Sequence, residues 1–211
     1  MSLIIQQLDQ ADVMLNNALN VPIISERLAE VGYTEAKIRL GLSTVASTRA
    51  QVKVKEESYS SKKLTSTQAQ AEIKALRRNF IDHRNVARMA FRHQPELLSS
   101  FQLEAPVDRR LSVWLDQASD FYKAILSQVK VMQRYDVPKA ELEQTQNQLQ
   151  SAKTLRLHTL QKKGAAQHAT QQRDQALKEL NIWLLRFKAA ARLALADEPQ
   201  LLEIMGIVVT A

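Results

Sequence analysis

Apolar positions in this chain recur at helical spacing almost from end to end. Leu111, Trp114, Ala118, Phe121, Ile125 and Met132 mark one face of a predicted helix over 107–135, and a first helix over 3–31 is expected to kink at Pro22. Breaks follow at "VGYTEAK" and "YDVPKAE". There Thr34 and Asp136 are candidate N-caps and Pro138 suits a first turn. Two long helical stretches come next, 34–94 and 137–197. Their second halves carry a heptad seam, Ser66, Ala69, Ile73, Leu76, Phe80, His83, Ala87 and Ala90 in one and Thr170, Arg173, Leu177, Leu180, Leu184, Phe187, Ala191 and Ala194 in the other. The phase of Ile38, Val45, Val52 and Tyr59 runs into Ser66, which argues for one unbroken helix. The polar stretches "YSSKKLTS" and "QKKGAAQ" argue instead for two hairpins, with arms close in length to the first helix. The matched lengths make the hairpin the preferred reading. "PELLSSFQL" and "PQLLEIMGI" each predict a single helical turn opened by proline, at Pro95 and Pro199.

These elements occur twice. "LRRNFIDHRNVARMAFRHQPELLSSFQL" (76–103) aligns without a gap on "LNIWLLRFKAAARLALADEPQLLEIMGI" (180–207). Leu76/Leu180, Ala87/Ala191, Arg88/Arg192, Ala90/Ala194, Pro95/Pro199, Leu97/Leu201 and Leu98/Leu202 are identical at an offset of 104. Further upstream "LDQA" recurs at 8–11 and 115–118, an offset of 107. The chain therefore reads as an internal duplication, with helical repeat 1 over 1–104 and helical repeat 2 over 105–211, the two expected to pack together. The predicted fold class is all-α: an elongated antiparallel helical bundle built from two pseudo-symmetric repeats of about 104 residues.

Composition supports this class. The 211 residues include only five prolines, four glycines and 5% aromatics, which favours helix formers over strand formers. Cysteine is absent, which removes disulfides and thiolate metal sites. The start "MSLIIQQLDQADVML" lacks the basic n-region and unbroken apolar core of a signal peptide, so a cytoplasmic protein is expected. The net charge of +7 is spread over both halves; it permits an anionic partner without requiring one.

Candidate chemistry is thin. His83 falls on the seam where the second copy has Phe187, and reads as a core residue. His158 and His168 are too far apart on a helix to share a metal. No nucleophile elbow, phosphate loop or core-facing pair of carboxylates occurs. The expectation is no enzyme, no cofactor and no metal. Two surfaces remain. Arg77, Arg84, Arg88 and Arg92 share one helix face and could track a phosphate backbone, although no aromatic residues interleave with them. Trp183, Leu185 and Leu193 add apolar surface beyond what one seam needs. They are expected at the contact between repeats, or else at an oligomer contact. The same stretch is too short and too charged to span a bilayer, containing Arg186, Lys188 and Arg192. Arg88 and Arg192, present in both copies, are expected to meet helix C-terminal carbonyls.

The segments "GYTEAKIRLG" and "WLLRFKAAARLAL…PQLLEIMGI" resemble a group of bacterial all-helical proteins of this size. That resemblance implies fold and bacterial origin and carries no functional motif. The reading that follows is a non-enzymatic structural or protein-interaction bundle. The alternative is weak electrostatic nucleic-acid binding through the arginine face.

Overall fold

A computed structural model describes residues 3–208. All of its regular structure is helical, with no strand among the described residues. Helix α1 (Leu3–Asn20) ends one residue before Val21, and Pro22 opens α2 (Pro22–Glu30) at its first position; proline lacks the N–H that would continue α1. Helix α3 (Glu35–Ala90) is followed by the one-turn α4 (Pro95–Ser100). Then come α5 (Leu111–Ile125), a 3-10 turn (Leu126–Gln128) and α6 (Val129–Gln133). The chain closes with α7 (Lys139–Ala194) and the one-turn α8 (Pro199–Ile204).

Two expectations are corrected by this layout. The long stretches are not hairpins: α3 and α7 are each a single helix of 56 residues. Ser60, Ser61 and Gly164 lie inside them as ordinary helical residues. A lone glycine costs a helix only about 1 kcal/mol relative to alanine, and the apolar phase through Val45 and Val52 is never lost. The helix expected over 107–135 begins only at Leu111 and is interrupted at 126–128, because residues 101–110, with Pro106, run as an irregular segment.

Four residues with positive φ close helical ends: Gly32 (φ 81), Gln102 (52), Asp136 (59) and Gly206 (73). Each is followed by an amide that reaches back five residues. These bonds are Tyr33 N to Leu28 O, Leu103 N to Leu98 O, Val137 N to Met132 O and Ile207 N to Leu202 O, at 2.8–3.2 Å. This is the Schellman closure, with an apolar residue after the left-handed position. Asp136 therefore ends the preceding turn and is not the N-cap of α7, as its residue type had suggested. The closures at 32 and 136, and at 102 and 206, stand 104 positions apart, as do both ends of α3 and α7 and of α4 and α8.

The chain forms two compact units, residues 1–60 with 165–211, and residues 61–164. In the first unit, Leu8, Leu15, Ile24, Leu28, Ile38 and Val45 share a core with Leu180, Leu184, Phe187, Leu202 and Met205. In the second, Leu76, Phe80 and Phe91 pack with Trp114, Leu115, Phe121, Tyr122, Met132, Leu142 and Leu149. The units do not follow the division expected at residues 104 and 105, because neither long helix folds back. Each unit holds the first part of one long helix and the last part of the other.

Candidate functional site

Of the arginine stripe of α3, Arg84 is buried, Arg77 half-buried, and Arg88 and Arg92 exposed. Arg84 is 4% exposed, and its Nη2 donates to the carbonyls of Gln102 (2.7 Å), Leu103 (3.0 Å) and Ala105. Arg88 Nε donates to Leu103 O at 2.6 Å, and Arg77 lies over the Trp114 ring, 4.7 Å from its centroid, with Nη2 3.4 Å from Asp108 O. Gln117 on α5 completes the set: its Nε2 donates to Pro106 O at 3.1 Å and its Oε1 accepts from Asp108 N at 3.2 Å. Residues 102–108, of which only Leu103 is buried, are thus held along α3 and α5 by side chains that pair with their backbone polar groups. Burial, and secondly the charge of Arg88, lower the Arg84 pKa from its ordinary value. Only Arg92 is turned away from this segment, with its Nε 2.9 Å from His93 Nε2. Of the four stripe residues, then, Arg77, Arg84 and Arg88 reach backbone carbonyls of their own chain, while Arg88 and Arg92 remain exposed.

His83 is buried as its seam position implied, but in a polar setting. Its Nδ1 lies 2.8 Å from Tyr122 Oη and its Nε2 2.9 Å from Glu141 Oε1. With the ring proton on Nε2, His83 donates to Glu141 and accepts the Tyr122 hydroxyl proton. Burial holds the Tyr122 pKa well above the ordinary tyrosine value, against the opposite pull of its hydrogen bond to Thr145. These groups satisfy one another.

The positions 104 residues from His83, Asn79 and Thr145 carry no polar side chain that reproduces this set. Phe187 replaces His83, and Trp183 and Gly41 stand where the second unit has Asn79 and Thr145. Trp183 stacks on Phe187 with centroids 5.3 Å apart and meets Tyr33 edge-on at 6.0 Å. Its indole lies directly over Gly41, where a Cβ would overlap Cη2 and fall 2.6 Å from Cζ2. Trp183 is thus a packing residue of the first unit, joining α7 to residues from the start of the chain. Leu185 and Leu193 are not packed in this way: they are 71% and 73% exposed. The extra apolar surface of 182–195 therefore divides into Trp183, half-buried against the core, and the outward Leu185 and Leu193.

Beside those leucines, α1 and α7 border two clefts in the first unit. The larger, about 580 Å³, is lined by Asp9, Gln10, Val13, Lys188, Arg192 and Met205–Val208. The smaller, about 270 Å³, is lined by Gln7, Gln10, Ala11, Met14, Asn181, Leu184, Leu185 and Lys188. Asp9 is held by Arg49 at 2.9 Å. Gln10, Lys188 and Arg192 make no side-chain hydrogen bond or ion pair among the described residues. Sequence reasoning noted the recurrence of Arg192 and of "LDQA" but drew no site from it. The signal lay in reading the two recurrences together, since Gln10 and Gln117 are both the third residue of that tetrapeptide.

Among the described residues, no three His, Asp or Glu side chains converge as a metal site would require, and no helix is long and apolar enough to cross a membrane. Comparison with protein-family models, curated proteins and solved structures gives no match.

Proposed function

We propose that this chain is a non-enzymatic protein-interaction module, an antiparallel helical bundle built from two duplicated 104-residue repeats. The observation that carries the reading is the outward pair Leu185 and Leu193 on α7, 71% and 73% exposed, with Leu185 at the edge of a cleft that Lys188 also lines. Exposed apolar surface rimmed by polar groups marks an interaction face. Antiparallel packing within each unit is supported by the pairing of positions. Gly41 meets Trp183, while Ser47 and Gln51 lie with His168–Gln175. In the other unit Glu72 and Leu76 lie with Gln148 and Ser151.

Site-specific photo-crosslinking tests the interaction reading. A crosslinker at 185 or 193 is expected to trap a protein partner in cells, whereas one at Leu157, exposed to a similar degree, traps none. Equal yields at all three sites, or none, sink the reading.

The electrostatic nucleic-acid alternative has less support, because Arg84 and Arg88 donate to carbonyls of their own chain. It predicts a gel shift at about 50 mM salt that weakens steeply as salt rises.

A further inference from the structure

The positive charge of this chain is gathered in one stretch of the second unit. Residues 61–71 of α3 and 144–164 of α7 hold six Lys or Arg and no Asp or Glu, against a net +7 for all 211 residues. Both stretches belong to the same unit. Leu76 on α3 lines a cleft with Gln148 on α7, and the antiparallel register of that pairing sets Lys62 and Lys63 beside residues 161 and 162. Among 61–71 and 153–164 only Ala69 is buried, so both helices keep their outer faces in solvent here. Helix α5 packs on α3 farther along, where Trp114 and Phe121 meet Phe80.

On α7 these cations share a face with leucines. Lys153, Leu157 and Leu160 are spaced by four and three residues, as are Arg156, Leu160 and Lys163, so all five lie on one side of the helix. Leu157 is 61% exposed and Leu160 55%. One acidic residue reaches this side from another helix: Asp116 on α5 binds Lys153 at 2.9 Å and lies within electrostatic reach of Arg156. Lys63, Lys162 and Lys163 have no such partner among the described residues.

We propose that this face of α7 rests on an anionic phospholipid surface. Arg156 and Lys163, with the neighbouring Lys63 and Lys162, sit at the level of the headgroup phosphates, and Leu157 and Leu160 enter the first layer of acyl carbons. A cluster of about four to eight Lys or Arg on a helix matches the charge of such a surface. Apolar burial and charge attraction then add, where either alone anchors weakly. The leucines decide between a lipid surface and a nucleic acid. A phosphate backbone pairs with the cations but gives two exposed leucines nothing to enter, and no Phe, Tyr or Trp stands among these residues to stack on a base. A bilayer interface offers anions and hydrocarbon on the same side. The helix lies on the surface and does not cross it. This role is separate from the protein-interaction reading, which concerns Leu185 and Leu193 in the other unit.

Co-sedimentation of the whole protein with lipid vesicles is the test. Binding is expected to vesicles containing about one-third phosphatidylglycerol and not to pure phosphatidylcholine, and it should weaken severalfold when salt is raised to about 0.5 M. Arg156→Gln with Lys163→Gln should lower the affinity roughly tenfold or more, and Leu157→Gln with Leu160→Gln roughly tenfold. Lys130→Gln with Arg134→Gln removes the same charge from exposed positions elsewhere in the unit and should leave binding unchanged. All six side chains lie outside the apolar core, so unchanged circular dichroism should verify that the variants fold. Failure to bind anionic vesicles overturns the inference, as does an equal loss in the Lys130 and Arg134 variant. So does vesicle binding indifferent to the leucine pair. A short DNA duplex that the protein holds through Arg156 and Lys163 while ignoring vesicles would assign the surface to nucleic acid instead. A protein trapped by a crosslinker at Leu157 would assign it to a protein partner.

Discussion

Trp183 lies face-down over the backbone of Gly41, and no side chain at position 41 fits beneath it. The second unit places the smaller Asn79 and the larger Thr145 at the corresponding positions, so the two residues of each pair vary in size against each other. Gly41→Ala should therefore destabilise by about 1–3 kcal/mol through overpacking, despite the gain in helix propensity of about 1 kcal/mol. In the background of Trp183→Ala the same substitution should be neutral or stabilising. A double-mutant cycle by urea unfolding measures the coupling; additive effects would refute the packing argument.

Arg84 donates to three carbonyls from a nearly solvent-free position. Arg84→Ala should cost about 2–4 kcal/mol, since several buried acceptors lose their donor at about 1–3 kcal/mol each and some regain water. Hydrogen exchange should rise first in residues 101–110. Arg84→Lys should recover only part of the loss, because an ammonium lacks the planar fork of the guanidinium. Equal stability of the lysine variant and the wild type would mean that one of the carbonyl bonds suffices.

Tyr122 gives a pH signature. Its folded pKa is raised, mainly by burial, above the ordinary value, so the folded state keeps a proton that the unfolded state releases. The stabilisation is complete below the unfolded value of about 10 and is lost as pH climbs from there toward the folded value. Denaturation series at increasing alkaline pH should show stability falling above about pH 10, with a shallower fall in Tyr122→Phe. Identical slopes would assign the alkaline loss to other groups.

Gly164 tests the continuity of α7. It lies in the helix interior, and a Cβ at this position would meet no other atom within 4 Å. Gly164→Ala should stabilise by about 0.5–1 kcal/mol, the propensity difference between the two residues. On the other long helix, Leu64→Pro, at a position 63% exposed, should cost about 3 kcal/mol or more. If thermal melts show the proline tolerated and the alanine inert, these positions are turns.

Much of the helical layout could be read from the residues. Pro22, Pro95 and Pro199 stop or start helices through the missing N–H, a local effect that needs no tertiary knowledge. The seam from Leu76 to Ala90 is buried as its spacing implied. The hairpin reading failed because it gave Ser60, Ser61 and Gly164 the force of helix breakers, when each costs no more than about a kilocalorie against an uninterrupted apolar phase. Asp136 looked like a cap because its residue type suits one, but backbone geometry, set by the Val137 and Met132 contact, decided its role. Arg88 was expected to meet carbonyls at a helix end and donates to Leu103 O, just past α4, but the inward turn of Arg84 could not be read. It depends on where residues 102–108 lie, and periodicity says nothing about an irregular segment. Gln10 and Gln117 were hidden for the same reason, since an isolated glutamine on a helix carries no chemical signature.

The division of the core has a consequence for how the protein is made. Residues 61–164 form one continuous stretch, so their core can close while the remainder is still being synthesised. Leu8, Leu15, Ile24, Leu28 and Ile38 meet a different situation, because their partners Leu180, Leu184, Phe187 and Met205 follow the whole of residues 61–164 in the chain. Long sequence separation of this kind slows folding and leaves apolar surface uncovered in the interval. The residues of the first unit that precede residue 61 are thus buried only after the second unit has been synthesised, and their apolar faces stay uncovered in that interval.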